Sequence, residues 1–299
     1  MDIERELGAK LKHGLKTGEP MKNHTSWEVG GPADYFVCPA NVEELALIVK
    51  YSRDHDLPLF VFGNGTNLLV QDGGIRGLVV KIGDDFSYTI FGNDRVKAGA
   101  GTSVTTLACE AAKRGCGGFE FAAGIPGSLG GASIMNAGAF GGNIGEWILE
   151  AEVVNPAGEI EVIPRRELNF SYRSSNLPEK GIVTAVTLKI TPCDPEEAKE
   201  KIERFMSERR RRHPALASAG STFRNLADQP AGRLIESAGG KGMRVGGAEV
   251  STQHANFIIN SGGAKASDIV CLIDQVRSLV REKHGVDLHP EVKIVGEKL

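Results

Sequence analysis

Ser221 sits in the window "AGSTFRN", residues 219–225, between a glycine and a threonine–phenylalanine pair. Its hydroxyl is a candidate turn group, nucleophile or acid. The nucleophile-elbow pattern requires glycine two residues before and two after the serine. Here Gly220 is adjacent and Phe223 stands at the second position, which argues against a hydrolase. Taken alone, serine after glycine is a turn or helix-cap hydroxyl. The preceding run Arg209–Arg212 is too local to mark a nucleic-acid surface.

Glycine supplies the other candidate chemistry. Gly63, Asn64, Gly65, Thr66 and Asn67 follow a short apolar run. They lack the Lys-Ser/Thr of a P-loop and the dinucleotide glycine spacing. Successive amides in such a turn still form an anion nest suited to pyrophosphate; the bland reading is a strand-to-strand turn. A second stretch, "AGIPGSLGGASIMNAGAFGG" over 123–142, is harder to read as scaffold. Gly124, Ile125, Pro126, Gly127 and Ser128 make one tight loop. Gly130, Gly131 and Ala132, then Asn136, Ala137 and Gly138, give two further contacts. Glycines let the backbone approach a ligand closely, and two nests in one domain suit a dinucleotide. Ligand-free turns are the alternative.

Elements must hold these groups. A helical stripe at Val42, Leu45, Ala46 and Val49 is followed by a buried strand at "LPLFVFG". "GLVVKI" and "RVKAGAG" read as strands, and "TSVTTLACEAAKRGC" as a helix capped by Thr102. Strands dominate from "ILEAEVVNP" to "IVTAVTLKI". The character changes near Cys193–Pro195, where a charged helix spans 196–213. A second amphipathic helix covers 267–285, with Ser267 as its N-cap and Gly285 as its stop, before a closing strand over 286–296. The expected organisation is an N-terminal helical segment (1–22), a first domain (23–195) and a second domain (196–299), in an α+β fold.

Totals limit the function classes. The chain has 299 residues, 41% hydrophobic and 24% charged, with formal net charge −3. That is a globular composition with no basic excess for nucleic acid. Glycine, at 38 residues, exceeds its usual share of about 7%. Five cysteines without a Cys-x-x-Cys pair read as free thiols in a reducing compartment. No run of about 18 apolar residues spans a membrane, and "MDIERELGAKLK" has no apolar signal core. The expectation is a cytoplasmic, soluble protein with no metal site, no nucleic-acid partner and no membrane partner. A monomer is compatible with the sequence, which leaves the oligomeric state open.

An ordered set of segments carries a resemblance. It runs from "NHTSWEVGGPADYFV" through "FGNGTNLLV", "GIPGSLGGASIMNAGAFGG" and "SYRSSNL". It continues with "AGSTFRN", "AGRLIESAGGKGMRVGGAEVSTQHANFIIN" and "LHPEVKIVGE". The set resembles the UDP-N-acetylenolpyruvoylglucosamine reductase family, in its shorter form. The glycine-rich part is similar to the vanillyl-alcohol-oxidase (PCMH) type of FAD-binding domain. The resemblance implies noncovalent FAD in the domain opened by "NHTSWEVGGPADYFV", NADPH as hydride donor, and UDP-N-acetylglucosamine enolpyruvate as substrate in peptidoglycan precursor synthesis. It implies FAD contacts from both glycine loops and from Ile182 and Val183. Tyr172, Arg224, Asn225, Arg233, His254 and Asn256 become substrate contacts.

The resemblance also implies three catalytic residues, Arg173, Ser221 and Glu291. Reducing an enol ether conjugated to a carboxylate pushes charge into that carboxylate, which cations and acids stabilise. A planar, permanently charged Arg173 suits it. Glu291 can donate a hydrogen bond to the same oxygens if partial burial raises its pKa. Ser221 then protonates the inner carbon as a general acid. Bland alternatives are a loop salt bridge for Arg173, an exposed strand position for Glu291 and a satisfied structural role for His254. "HPALASAGS" departs from the family's Gln-Pro and pre-serine Pro, and Arg224-Asn225-Leu226 replaces Lys-Asn-Pro, so a less fixed catalytic loop is expected. Rival functions are a same-fold oxidase and a silent nucleotide-sugar sensor.

Overall fold

The structure is a computed structural model describing residues 3–299. The chain divides into two compact units. The first holds residues 3–17, Tyr35–Asn64 and Gly77–Arg209; the second holds Gly18–Asp34, Gly65–Arg76 and Arg210–Leu299.

The first unit is built on a five-stranded antiparallel sheet. Its order is Ile160–Pro164, Ile148–Val154, Ile182–Lys189, Arg95–Gly99 and Thr89–Phe91. Ala151, Val153, Val186, Leu188, Val96 and Ala98 are buried from it. Helix Val104–Lys113 adds Val104, Leu107, Ala108 and Ala111 to the same core, a 3.6-residue stripe. Its N-cap is Ser103 rather than the expected Thr102: Ser103 Oγ accepts the Thr106 N–H at 3.3 Å. Thr102 Oγ1 instead exchanges hydrogen bonds with Tyr88 N and O. Leu59–Phe62 runs parallel to Leu78–Lys81, and its end feeds the first glycine loop.

In the second unit, helix Ala266–His284 buries Ile269, Leu272, Ile273, Val276 and Val280. They pack with Trp27, Leu69, Phe223, Ile235 and Ile258. Beside the helix is a three-stranded antiparallel sheet of Arg244–Val245, Ala248–Val250 and Ile258–Asn260. Leu68–Val70 pairs in parallel with Lys293–Val295. Gly285 ends the helix at φ +68, as its stop-signal reading required.

Four further expectations change. Residues 1–22 are not one helical segment. A single turn, Ile3–Glu6, and a 3₁₀ turn, Gly8–Lys10, give way to a strand at Lys16–Pro20. Gly14 and Gly18 at φ +66 and +64 break the helical period, while residues 1 and 2 lie outside the described residues. The division near residue 195 lies instead at Arg209, because Ala198, Ile202 and Phe205 of helix Pro195–Arg212 are buried in the first unit's core. "NHTSWEVGG" belongs to the second unit: Trp27 is fully buried there, its Nε1–H donating to Ile258 O at 2.7 Å. Finally, Lys265 rather than Ser267 holds the N-cap position of helix Ala266–His284.

Candidate active site

The first glycine loop leaves the strand Leu59–Phe62 at Gly63. A Cβ there would stand 2.2 Å from Ser128 Oγ, so the first loop lies against the second within one unit. The second loop is tied down along its length. Val104 N donates to Gly127 O at 3.2 Å, Leu129 N to Thr102 O at 2.8 Å, and Gly130 N to Ala100 O at 2.9 Å. Thr105 Oγ1 donates to Ala123 O and Ile125 O at 2.8 and 3.2 Å. Ser128 precedes the short helix Leu129–Ile134, in which Ala132 is buried and Gly131 exposed. Ala100 N donates to Thr184 O at 2.8 Å, which fixes Ile182 and Val183 at the start of their strand beside this assembly.

Asn136 is buried with φ +41. Its side chain is committed to scaffold: Nδ2 donates to Ser171 O and Oδ1 accepts from Gly145 N, both at 2.9 Å. Ala137 N donates to Ala132 O at 2.8 Å. Tyr172 and Arg173 form the turn between Phe170–Ser171 and Ser174–Ser175. Arg173 is half-buried at φ +55, an uncommon backbone state for a non-glycine residue that the surrounding hydrogen bonds hold in place. Its Nη2 donates to Gly138 O at 3.1 Å, and its guanidinium lies 5.0 Å from the ring centroid of exposed Tyr172. The structure thus joins Arg173 to the third segment of the glycine system.

The second unit gathers the remaining groups. Gly65, at φ +63, has no room for a side chain, since a Cβ would lie 2.1 Å from His24 O. Thr66 follows, and then Asn67, whose Nδ2 donates to Glu291 O at 3.2 Å. Lys293 N returns a bond to Asn67 O at 3.0 Å. Glu291 N donates to Thr222 O at 2.8 Å and Arg224 N to His289 O at 2.9 Å, around an antiparallel bridge between Phe223 and Pro290. On the other side, Thr222 N donates to Asn256 O at 2.8 Å. The Asn256 amide grips both backbone groups of Phe223, at 2.9 and 2.8 Å. Half-buried Ser221 therefore follows Gly220, at φ +76, and enters a segment clamped from both sides.

The residues expected to contact substrate occupy different surroundings. Arg224 and Arg233 are exposed. Asn225 Oδ1 accepts from Ala231 N at 3.0 Å, fastening its loop to the helix Ala231–Ser237. The expected looseness at Leu226 is offset by a bond that proline could not make: Leu226 N donates to Gln229 O at 3.2 Å. His254 packs with His213 and Phe257, at ring separations of 5.8 and 4.9 Å. Its Nδ1 accepts from Asn256 N at 3.2 Å, so Nε2 carries the proton of the neutral ring. Burial pushes its pKa below the ordinary 6.5. A cavity of about 860 Å³ in this unit, lined by Asp72, Lys265, Cys271, Asp274 and Lys298 among others, contains none of these residues.

Residues 33–163 match the FAD binding domain family. Residues 212–295 match the UDP-N-acetylenolpyruvoylglucosamine reductase C-terminal domain. The reductase from Desulforamulus reducens is 44% identical over 98% of this chain and 97% of its own length. The chain belongs to the UDP-N-acetylenolpyruvoylglucosamine reductase family. The family member from Moorella thermoacetica is 45% identical over 98% of both chains. The crystal structure of the Thermus caldophilus reductase is 38% identical, with TM-score 0.80 over 92% of this chain and 97% of that one. The α+β architecture with a PCMH-type FAD-binding part is therefore that of the family. Asn256 as a backbone clamp and Trp27 as a core residue were not legible in the sequence, because their partners lie 33 and 231 positions away.

Proposed function

We propose that this chain's Arg173, Ser221 and Glu291 carry out the family's reaction. That reaction reduces UDP-N-acetylglucosamine enolpyruvate to UDP-N-acetylmuramate for peptidoglycan precursors, with FAD as cofactor and NADPH as reductant. The glycine segments suit a dinucleotide because glycine lets a backbone approach a ligand without side-chain interference, and within the first unit Gly63 packs directly on Ser128 of the second loop. Gly63, Asn64, Gly65, Thr66, Asn67 and the 124–138 segment would hold FAD. Bound there, FAD would supply the hydride chemistry that links NADPH oxidation to reduction of the enol ether.

The chain's own groups manage the charge and the proton. Arg173 offers a fixed guanidinium to the substrate carboxylate, where negative charge accumulates. Glu291, in its protonated form, donates to the same carboxylate, and Ser221 gives its hydroxyl proton to the inner carbon and regains one through its neighbours. The observation that carries this reading is the double clamp on Thr222–Phe223. Asn256 holds one edge and Glu291's own backbone holds the other, which presents Ser221 from a fixed frame. Arg224 and Arg233 remain free at the surface for the nucleotide-sugar's phosphates. We also assign the reaction to the cytoplasm, where NADPH and uridine nucleotides are made; no helix among the described residues is long and apolar enough to cross a membrane.

The test is spectroscopic. Under anaerobic conditions NADPH should bleach the flavin, and the enolpyruvyl substrate should restore its colour. Restoration by oxygen at the same rate, without substrate, would favour an oxidase. Bleaching without restoration by substrate would favour a sensor.

A further inference from the structure

The four-arginine run resolves into unlike members. Arg210, Arg211 and Arg212 are exposed, whereas Arg209 is half-buried and belongs to the first unit. Its side chain runs along the buried start of the second glycine loop. From a Cβ placed on Gly124, Arg209 Cδ would be 3.4 Å away and Phe140 Cε2 3.5 Å. Phe140 is 39% exposed and stacks on Phe205 at 4.2 Å and 12°. Its φ of +50 is a conformation an aromatic residue adopts only under constraint.

Arg204, not Arg209, covers the Phe205 ring, at 5.4 Å. Among the described residues Arg209 has no hydrogen bond or ion pair. Burial alone pushes its guanidinium down, with no charged side chain contributing. Partly removing a permanent cation from water without a partner is unfavourable. The arrangement is a cation, an accessible aromatic face and a glycine backbone converging on one place.

We propose that Arg209 binds a phosphate oxygen of a nucleotide lying along Gly124 and beside Phe140. This rests on the FAD and nucleotide-sugar reading above. A diphosphate is common to FAD, NADPH and the uridine substrate, and three measurements separate them. Flavin-loaded wild type, Arg209→Gln and Arg209→Lys are compared for FAD lost to an ultrafiltrate, for NADPH concentration dependence of anaerobic bleaching, and for UDP perturbation of the flavin spectrum.

Arg209→Gln should weaken one of the three by about 10-fold or more, the scale of a hydrogen bond to a charged group. Arg209→Lys should recover part of that loss. The arm that moves names the ligand. Values within about twofold of wild type in every arm, or equal losses in all three with a lower melting temperature, would overturn the assignment. Should Arg209→Gln not fold, Arg209→Lys decides: loss of the planar fork must weaken one arm severalfold, and no change overturns the idea. A wild type that neither retains FAD nor responds to NADPH overturns the functional reading instead.

Discussion

Asn256 does the most with the fewest atoms. It is 2% exposed, and both ends of its amide hold Phe223, one residue past Thr222. Asn256→Ala leaves a buried N–H and a buried C=O unpaired, each costing about 1–3 kcal/mol. The expected result is a destabilised protein whose flavin is still bleached by NADPH but whose turnover collapses, read by comparing the two half-reactions. Its neighbour His254 sets a pH dependence. Its folded pKa lies below 6.5, so the unfolded chain binds the additional proton. Stability is complete above about pH 6.5 and falls as pH drops below it. Thermal melting between pH 7.5 and 5 should show this slope, and His254→Asn should flatten it. The family resemblance offered His254 and Asn256 as substrate contacts, with a satisfied structural role as the alternative for His254. It could not show that the amide and the ring face inward, because burial is set by partners distant along the chain.

At the scale of elements, periodicity was informative, while the N-caps were misplaced by one or two residues. The stripes of Val104–Lys113 and Ala266–His284 follow from apolar spacing that only a helix can bury on one side. The N-terminus of the second required tertiary knowledge. The first amides of Ala266 and Ser267 donate to Asp72, at 2.9 Å each, from 194 and 195 residues away. Burial raises the Asp72 pKa, but the Ser267 and Ala266 hydrogen bonds outweigh it and leave the carboxyl below its usual 3.8. Its contribution is therefore present above that value and is lost as pH falls through the lowered pKa. Asp72→Ala should cost about 1 kcal/mol, as removal of a helix cap does. Asp72→Asn should recover part of it. Denaturant unfolding at pH 7 measures both. The glycine loops were legible as places of close backbone approach, which demands glycine. Which loop touches which was not, because the approach of Gly63 to Ser128 has no local signature.

On the scale of the whole chain, the motif order announced the family, while the partition into units stayed hidden. Residues 18–34 and 65–76 fold with the C-terminal unit, so a boundary drawn along the sequence cannot describe it. Trp27 illustrates the reason: its partners Ile258 and Asn260 lie more than 230 positions away. The catalytic proposal likewise draws on residues far apart in the sequence. Arg173 comes from the first unit, and Ser221 and Glu291 come from the second. Its most direct test is Ser221→Ala, a change that removes one hydroxyl and leaves the clamps on Thr222 and Phe223 intact. In anaerobic stopped flow, NADPH should bleach the flavin of this variant at the wild-type rate. Reoxidation by the enolpyruvyl substrate should slow by about 100-fold or more, the scale of lost general-acid catalysis. Reoxidation at the wild-type rate would contradict the assignment of Ser221 as the proton donor.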